Sequence, residues 1–240
     1  MALDGEVGKV RDIYFDDISW AVRYLVVDTG RWLSGRKVLI SPEAVELINR
    51  TLHTVSVSHT RERIRASPDI DTDKPVSRRH ESELNRYYGY SAYWAGSTQW
   101  GAGPVLPPVA PTASDLLELE ERRLAGAPQP GTNLRSTREV SGYTIRAIDG
   151  DVGHVKDFLF DDETWAIRYL VLETGVWLFG RDSLVSRDCV QHVDWAAKSV
   201  DVDQTREQIE HAEEFDADNP PPGDLEMALR AAASGDHLRN

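Results

Sequence analysis

The sequence predicts a mainly β protein of two small β-barrels in tandem, with short helices in the linker and the C-terminal tail. Three observations carry that prediction. The stretch "WAVRYLVVDTGRWLSGRKVLIS" (Trp20 to Ser41) returns 145 positions later as "WAIRYLVLETGVWLFGRDSLVS" (Trp165 to Ser186). The repeat runs without gaps from Asp4-Gly5 and Asp149-Gly150 through Val45 and Val190, with roughly two dozen of about forty positions identical, which marks a duplicated structural unit. Within each copy, strand-length apolar runs rich in β-branched and aromatic residues alternate with turn residues.

Taken in order, "VGKVRDIYFDD" sets Val7, Val10, Ile13 and Phe15 among charged neighbours and reads as a strand, and "AVRYLVVDT" reads as its partner. Asp16-Asp17, like Asp161-Asp162 in the second copy, starts the turn between them, because a short carboxylate side chain can accept from nearby backbone amides. "KVLIS" is a third strand and "TVSVSHT" a fourth, with a short helical turn expected in "SPEAVELI" between them, where Ser41 caps and Pro42 takes the first helical position. The match resumes in "VSVSHTRERI" and "VDVDQTREQI", where Thr60-Arg61-Glu62 and Thr205-Arg206-Glu207 read as local caps.

The copies differ at their ends. "GYTIRAI" (Gly142 to Ile148) reads as an extra opening strand of the second unit, and shifted back by 145 almost all of it falls before Met1. The first unit is therefore expected to lack its opening strand, or to have the place filled by another segment of this chain or of a second subunit. After the first copy a helix is expected from Arg79 to Tyr88, ended by Gly89; after the second, "GDLEMALRAAASG" is a shorter helix ended by Gly235. Between the copies, "AGSTQWGAGPVLPPVAP" is an irregular Gly/Pro linker and "TASDLLELEERRLAG" a linker helix with Thr112 as N-cap. The expected divisions are 1–95, 96–136, 137–218 and 219–240.

Hydrophobic residues at 40% and charged ones at 28% describe an ordinary soluble protein. No apolar run approaches the roughly 20 residues of a membrane span, and Met1 leads into "ALDGEVGKV" with neither a basic start nor an apolar signal core, so a cytoplasmic protein without a transmembrane segment is expected. The net charge of −13 is unevenly spread: residues 1–136 hold 17 Lys/Arg against 18 Asp/Glu, residues 137–240 hold 10 against 22. That balance argues against direct nonspecific nucleic-acid binding. Cys189, the single cysteine, excludes an intrachain disulfide and a multi-cysteine metal site; it aligns with Ala44, as a small buried position would.

The pattern "DGEVGKVRDIYFDD...RYLVVDTG...VLISPEAV", with its second version "DGDVGHVKDFLFDD...RYLVLETG...LVSRDCV", resembles the PRC-barrel domain over about 4–65 and 137–210. That family is a small β-barrel found in the H subunit of the photosynthetic reaction centre and in the ribosome-maturation factor that binds a small-subunit protein. The resemblance implies a non-catalytic unit that docks onto other proteins or holds an assembly, with no cofactor. A fold hosts unrelated activities, so the partner does not follow from it.

The repeated "TG-x-W-L-x-G-R" is the most distinctive local feature. Gly30 and Gly175 suit a turn needing positive φ. Trp32 and Trp177 either seal a barrel end or anchor a partner, and Arg36 and Arg181 either pair with the turn aspartates or grip a partner's carboxylate. Arg23 and Arg168 stand mid-strand; a salt bridge to Asp12 or Asp157 is one reading, an interface between the two Arg-bearing faces the other. Tyr87, Tyr88, Tyr90, Tyr93, Trp94 and Trp100 cover one of the barrels or form an exposed aromatic patch. "DIDTD" (Asp69, Asp71, Asp73) lacks the EF-hand glycine and final glutamate, having Lys74 and His80 there, and His53 and His59 have no ligand counterparts in Lys198 and Gln204, so no metal site is expected. No nucleophile, base and orienting acid recur together. The expected function is a non-enzymatic interaction or assembly module with a protein partner or self-association in a bacterial or archaeal cytoplasm. A small-molecule sensor and an adaptor in ribosome or RNA processing are the alternatives.

Overall fold

The computed structural model describes residues 1–49, 51–68, 76–92, 133–173 and 182–212, and divides into two units. Unit 1 comprises Met1–Ser136 with Asp162–Ala166, and unit 2 the remainder. The expected linker helix, the helix before Gly235 and the "DIDTD" segment lie outside the described residues.

In unit 1, β1 (Lys9–Asp16), β2 (Val22–Asp28) and β3 (Lys37–Ile40) form an antiparallel meander. The β1–β2 turn is built as the aspartate pattern requires: Asp16 Oδ1 accepts from the Ser19 amide and from its hydroxyl, both at 2.8 Å. The turn ends on Trp20, whose φ of 56° recurs at the aligned Trp165 of the second copy, at 58°. A bulky residue with positive φ stores strain; the Trp20 ring is held in the core, 5.5 Å from Phe15.

The expected helical turn in "SPEAVELI" is shorter than the sequence reading. It is a 3₁₀ turn at Pro42–Ala44, capped by Ser41, and Val45–Asn49 is a strand, β4, paired with β5 (Thr54–Val57). β5 leads into α1 (Arg61–Arg65), with Thr60 as N-cap. A longer helix, α2 (Arg78–Tyr88), starts at Ser77 and stops at Gly89, whose φ of 80° and amide bond to Asn85 O form the left-handed cap. Leu84 and Tyr88, four residues apart and so on one helix face, pack on Tyr24, Val26 and Leu39. The residues alternating with these, Leu25, Val27, Val38 and Ile40, are buried too. β2 is thus covered on both faces, which explains its nearly continuous apolar sequence.

Unit 2 begins with α3 (Thr137–Val140), preceded by β6 (Leu134–Ser136) of unit 1. It holds one six-stranded sheet in the order β10-β9-β8-β7-β12-β11: β7 (Thr144–Ala147), β8 (Gly150–Phe160), β9 (Ile167–Glu173), β10 (Asp182–Ser186), β11 (Val190–Asp194) and β12 (Ser199–Val202). α4 (Arg206–Glu210) follows, with Thr205 and Gln208 forming a capping box. Tyr169, Val171 and Leu184 repeat the cluster of Tyr24, Val26 and Leu39 at the 145-residue shift. Each unit is mainly β; among the described residues the ladder of unit 2 ends at β10 and β11, joined through a 3₁₀ turn at Arg187–Cys189, and does not close by hydrogen bonds.

The opening strand expected from "GYTIRAI" is β7, which joins β8 to β12. In unit 1 the last turn of that strand has a counterpart in Met1–Leu3. Ala2 bridges Gly5 as Ala147 pairs with Gly150, and the Leu3 amide donates to His59 O as the Ile148 amide does to Gln204 O. The strand that does add to β1 is β6, and it adds elsewhere, at Tyr14–Asp16.

Candidate functional site

The Trp32 loop is built from its own backbone. Asp28 Oδ1 accepts from the Gly30 amide at 2.9 Å, and the Thr29 hydroxyl and amide both donate to Arg36 O, at 2.6 and 3.2 Å. Gly30 has the expected positive φ, 57°, and opens a 3₁₀ turn over Gly30–Leu33. The loop is tied to the start of β1 because Trp32 Nε1 donates to Val7 O. Gly8 makes this approach possible. With φ of 154°, a Cβ built there would lie 2.0 Å from Asp28 O, so only glycine lets the two backbones pass.

Helix α1 completes the site. Asp4 Oδ1 accepts from the Arg61 amide at 2.7 Å and Thr60 Oγ1 from the Arg63 amide at 3.2 Å, so two side chains satisfy the first turn. The same device recurs in unit 2, where Asp149 accepts from Arg206 at 2.8 Å. The repeated "DG" and "TRE" motifs are therefore two halves of one cap. At the other end of α1, Arg36 donates to Arg65 O and Ser67 O, at 2.9 and 2.6 Å. Cations at a helix C-terminus satisfy its free carbonyls. The structure gives Arg36 this anchoring role, where the sequence reading offered the turn aspartates or a partner's carboxylate.

With α1 fixed at both ends, the guanidinium of Arg61 stacks 4.5 Å from the Trp32 ring centroid, and that of Arg65 lies at 5.5 Å. Beside the half-buried ring opens a cleft of about 450 Å³, lined by Glu6, Lys9, Arg11, Asp28, Arg31 and Arg61 among others. Arg11 and Asp28 pair across it at 3.7 Å. Arg61 Nε is buried and makes no hydrogen bond among the described residues. Arg65, Lys9 and Arg31 carry no expectation from sequence, and Arg61 carries one only as part of the local cap Thr60-Arg61-Glu62. The available signal was the i, i+4 spacing of Arg61 and Arg65 together with the change from Arg65 to Glu210 between copies.

The other predicted residues make contacts of their own. Arg23 is buried and donates to Ser19 Oγ at 3.0 Å, while Asp12 accepts from Ser136 Oγ at 2.6 Å. Arg168 lies 3.6 Å from Asp161, a turn carboxylate of its own hairpin. Tyr88, with Tyr87 and Tyr90 beside it, packs against the cluster of Tyr24, Val26 and Leu39 in unit 1. Tyr88 stacks on buried His59 at 4.6 Å, and His59 Nε2 meets Tyr90 Oη. Burial, and then the charge of Arg63, lowers the His59 pKa, and burial raises that of Tyr90. Trp177, Arg181, Tyr93, Trp94 and Trp100 lie outside the described residues. Among those described, no three His, Cys, Asp or Glu side chains gather in a metal-binding group, and no helix is long and apolar enough to cross a membrane.

The PRC-barrel domain matches this sequence in two segments, residues 3–58 and 133–209, which together take in more than half of the chain and coincide with the two copies. The chain belongs to the PRC-barrel family. Its two family segments carry the aspartate turns and the meander in the same register. No curated protein matches the sequence. The Trp32 cleft lies within the first segment, except that α1, which supplies Arg61 and Arg65, lies just beyond its end at residue 58.

Proposed function

We propose that this PRC-barrel chain is a non-enzymatic protein-interaction module whose first unit docks a protein partner through the cleft beside Trp32. One observation carries the reading: Arg61 and Arg65 are stacked on Trp32 at the rim of an open cleft and are held there by helix caps at both ends of α1. An ordered aromatic ring with pre-positioned guanidiniums has the composition of an interface hot spot, and fixing it beforehand lowers the ordering cost of association. The lining contains cations, two carboxylates and an indole but no serine, cysteine or histidine, and its one hydroxyl, Thr29, is committed to Arg36 O. That composition favours binding over bond cleavage. A cytoplasmic setting is part of the proposal and rests on composition alone.

The test is site-specific photo-crosslinking in cells of the native organism, with the crosslinking residue at exposed Arg31 and, as control, at Leu52 in the β4–β5 turn. A discrete product from position 31, missing from position 52 and lost in a folded Trp32→Ala variant, is the expected result. Identical products from both positions, or products indifferent to Trp32→Ala, would overturn the reading.

A further inference from the structure

We infer that the Trp32 cleft recognises an acidic, extended peptide segment, with two carboxylates spaced to meet Arg61 and Arg65. This rests on the docking role proposed above and names the chemistry of the partner. The argument starts from a local conflict. Arg61 and Arg65 are four residues apart on α1, and like charges at that spacing oppose helix formation. The counterpart helix α4 carries Arg206 and Glu210, which can compensate each other along the helix. Unit 1 has the same caps and the same turn, yet it keeps the repulsive pair and holds both guanidiniums to one indole ring.

The surrounding charge points the same way. Lys9, Arg11, Arg31 and Arg61 line the cleft with Glu6 and Asp28, and Arg65 on the Trp32 ring brings the local net charge to +3. At the aligned positions of the second copy stand His154, Lys156, Val176, Arg206 and Glu210 with Asp151 and Glu173, a net of −1 with histidine neutral. Both lining carboxylates are already engaged, Asp28 by Arg11 and the Gly30 amide and Glu6 by the charge of the Met1 ammonium. The positive charge is thus local, in a chain whose net charge is −13. A nucleic acid would meet that overall repulsion along its length; a short acidic segment entering the cleft would not.

The two guanidinium carbons lie 4.5 and 5.5 Å from one ring centroid, so they are no more than 10.0 Å apart. Alternate residues of an extended chain are separated by about 6.6 Å. A carboxylate-x-carboxylate segment can therefore address both cations at once.

The experiment uses the full chain and a fluorescein-labelled peptide of alternating glutamate and serine, read by fluorescence anisotropy. Saturable binding is expected, weakened about tenfold when glutamine replaces glutamate and weakened further by salt. Arg65→Glu, which gives α1 the pairing of α4, should weaken binding by a similar factor. Arg31→Glu, on an exposed loop residue, supplies a second variant should α1 not fold. The inference fails if the glutamine peptide binds equally well or if neither variant changes affinity. It also fails if a single-stranded oligonucleotide of equal charge displaces the peptide at equal concentration. Crosslinks from Arg31 without acidic-peptide binding would sink this inference and leave the docking role standing; loss of those crosslinks' dependence on Trp32 would sink the docking role itself.

Discussion

The two units share a register and differ in what has been added to it. Among the described residues, unit 2 carries β7 inside its sheet, linking β8 to β12, whereas unit 1 has Met1–Leu3 at the equivalent bonds and keeps β4 and β5 as a separate ladder. Among the described residues, unit 1 alone adds a strand, β6, to its meander and a helix, α2, over Tyr24, Val26 and Leu39. Two sequences built on one template can thus complete a sheet in two ways, by extending the ladder or by laying a helix across it. The lesson for function is that identical scaffolding residues, Asp4 with Thr60 and Asp149 with Thr205, hold up differently charged helices.

The largest expected effect breaks the comparison at the scaffold. Gly8→Val would drive a side chain into Asp28 O, a backbone atom that cannot move aside cheaply, and should cost on the order of 4 kcal/mol. Hydrogen exchange should show β1–β3 deprotected while β8–β12 keep their protection. Equal loss in both units would mean that they fold as one cooperative body, and the separate accounts given for them would not stand.

Leu84→Ala removes an apolar anchor that is 1% exposed and should cost about 2–4 kcal/mol, with the loss confined to unit 1. A variant that destabilises β9 to the same degree as β2 would contradict the view of α2 as a device of the first unit.

His59 offers a sharper contrast, because its counterpart is Gln204. Its pKa is lowered from 6.5, by burial first and by Arg63 second, and the groups facing it are the Tyr88 ring, the Tyr90 hydroxyl and Arg63. The unfolded chain therefore binds more protons than the folded one just below pH 6.5. Stability from this group is complete above that pH and is lost as the pH falls through the folded-state value. Thermal melts from pH 7.5 to 5 should show α2 loosening on the acid side, and His59→Gln should flatten that part of the profile. An unchanged slope in the variant would remove His59 as the cause.

The β meander was legible in the sequence because alternation, aspartate turns and repetition agreed, and the end of α2 because Gly89 is strong punctuation. β4 was missed since "SPEAVELI" carries a genuine helix-start signal that is spent within three residues at Pro42–Ala44. β6 was missed because three residues hold no period. At the site, the Trp32 loop was legible, but its partners were not. Asp4 reaches the Arg61 amide across 57 residues and Arg36 reaches Arg65 across 29, and spacing alone carries no trace of either.

The smallest expected effect tests how far the two copies are interchangeable. Cys189 and Ala44 are both buried and stand at aligned positions, and each carbonyl accepts the same bond, from Asp203 at 2.9 Å and from Ser58 at 2.8 Å. Cys189→Ala should cost only about 1 kcal/mol, since the pocket already holds alanine in the other copy. Burial, followed by the carboxylate of Asp203, pushes the thiol pKa up to about 11, so almost no thiolate exists at neutral pH. Alkylation by iodoacetamide at pH 7.5 should therefore be slow and should accelerate in step with denaturant-driven opening of unit 2. Rapid stoichiometric labelling of the native protein would show instead a reactive thiol, and would make position 189 a point where the copies diverge in chemistry as well as in charge.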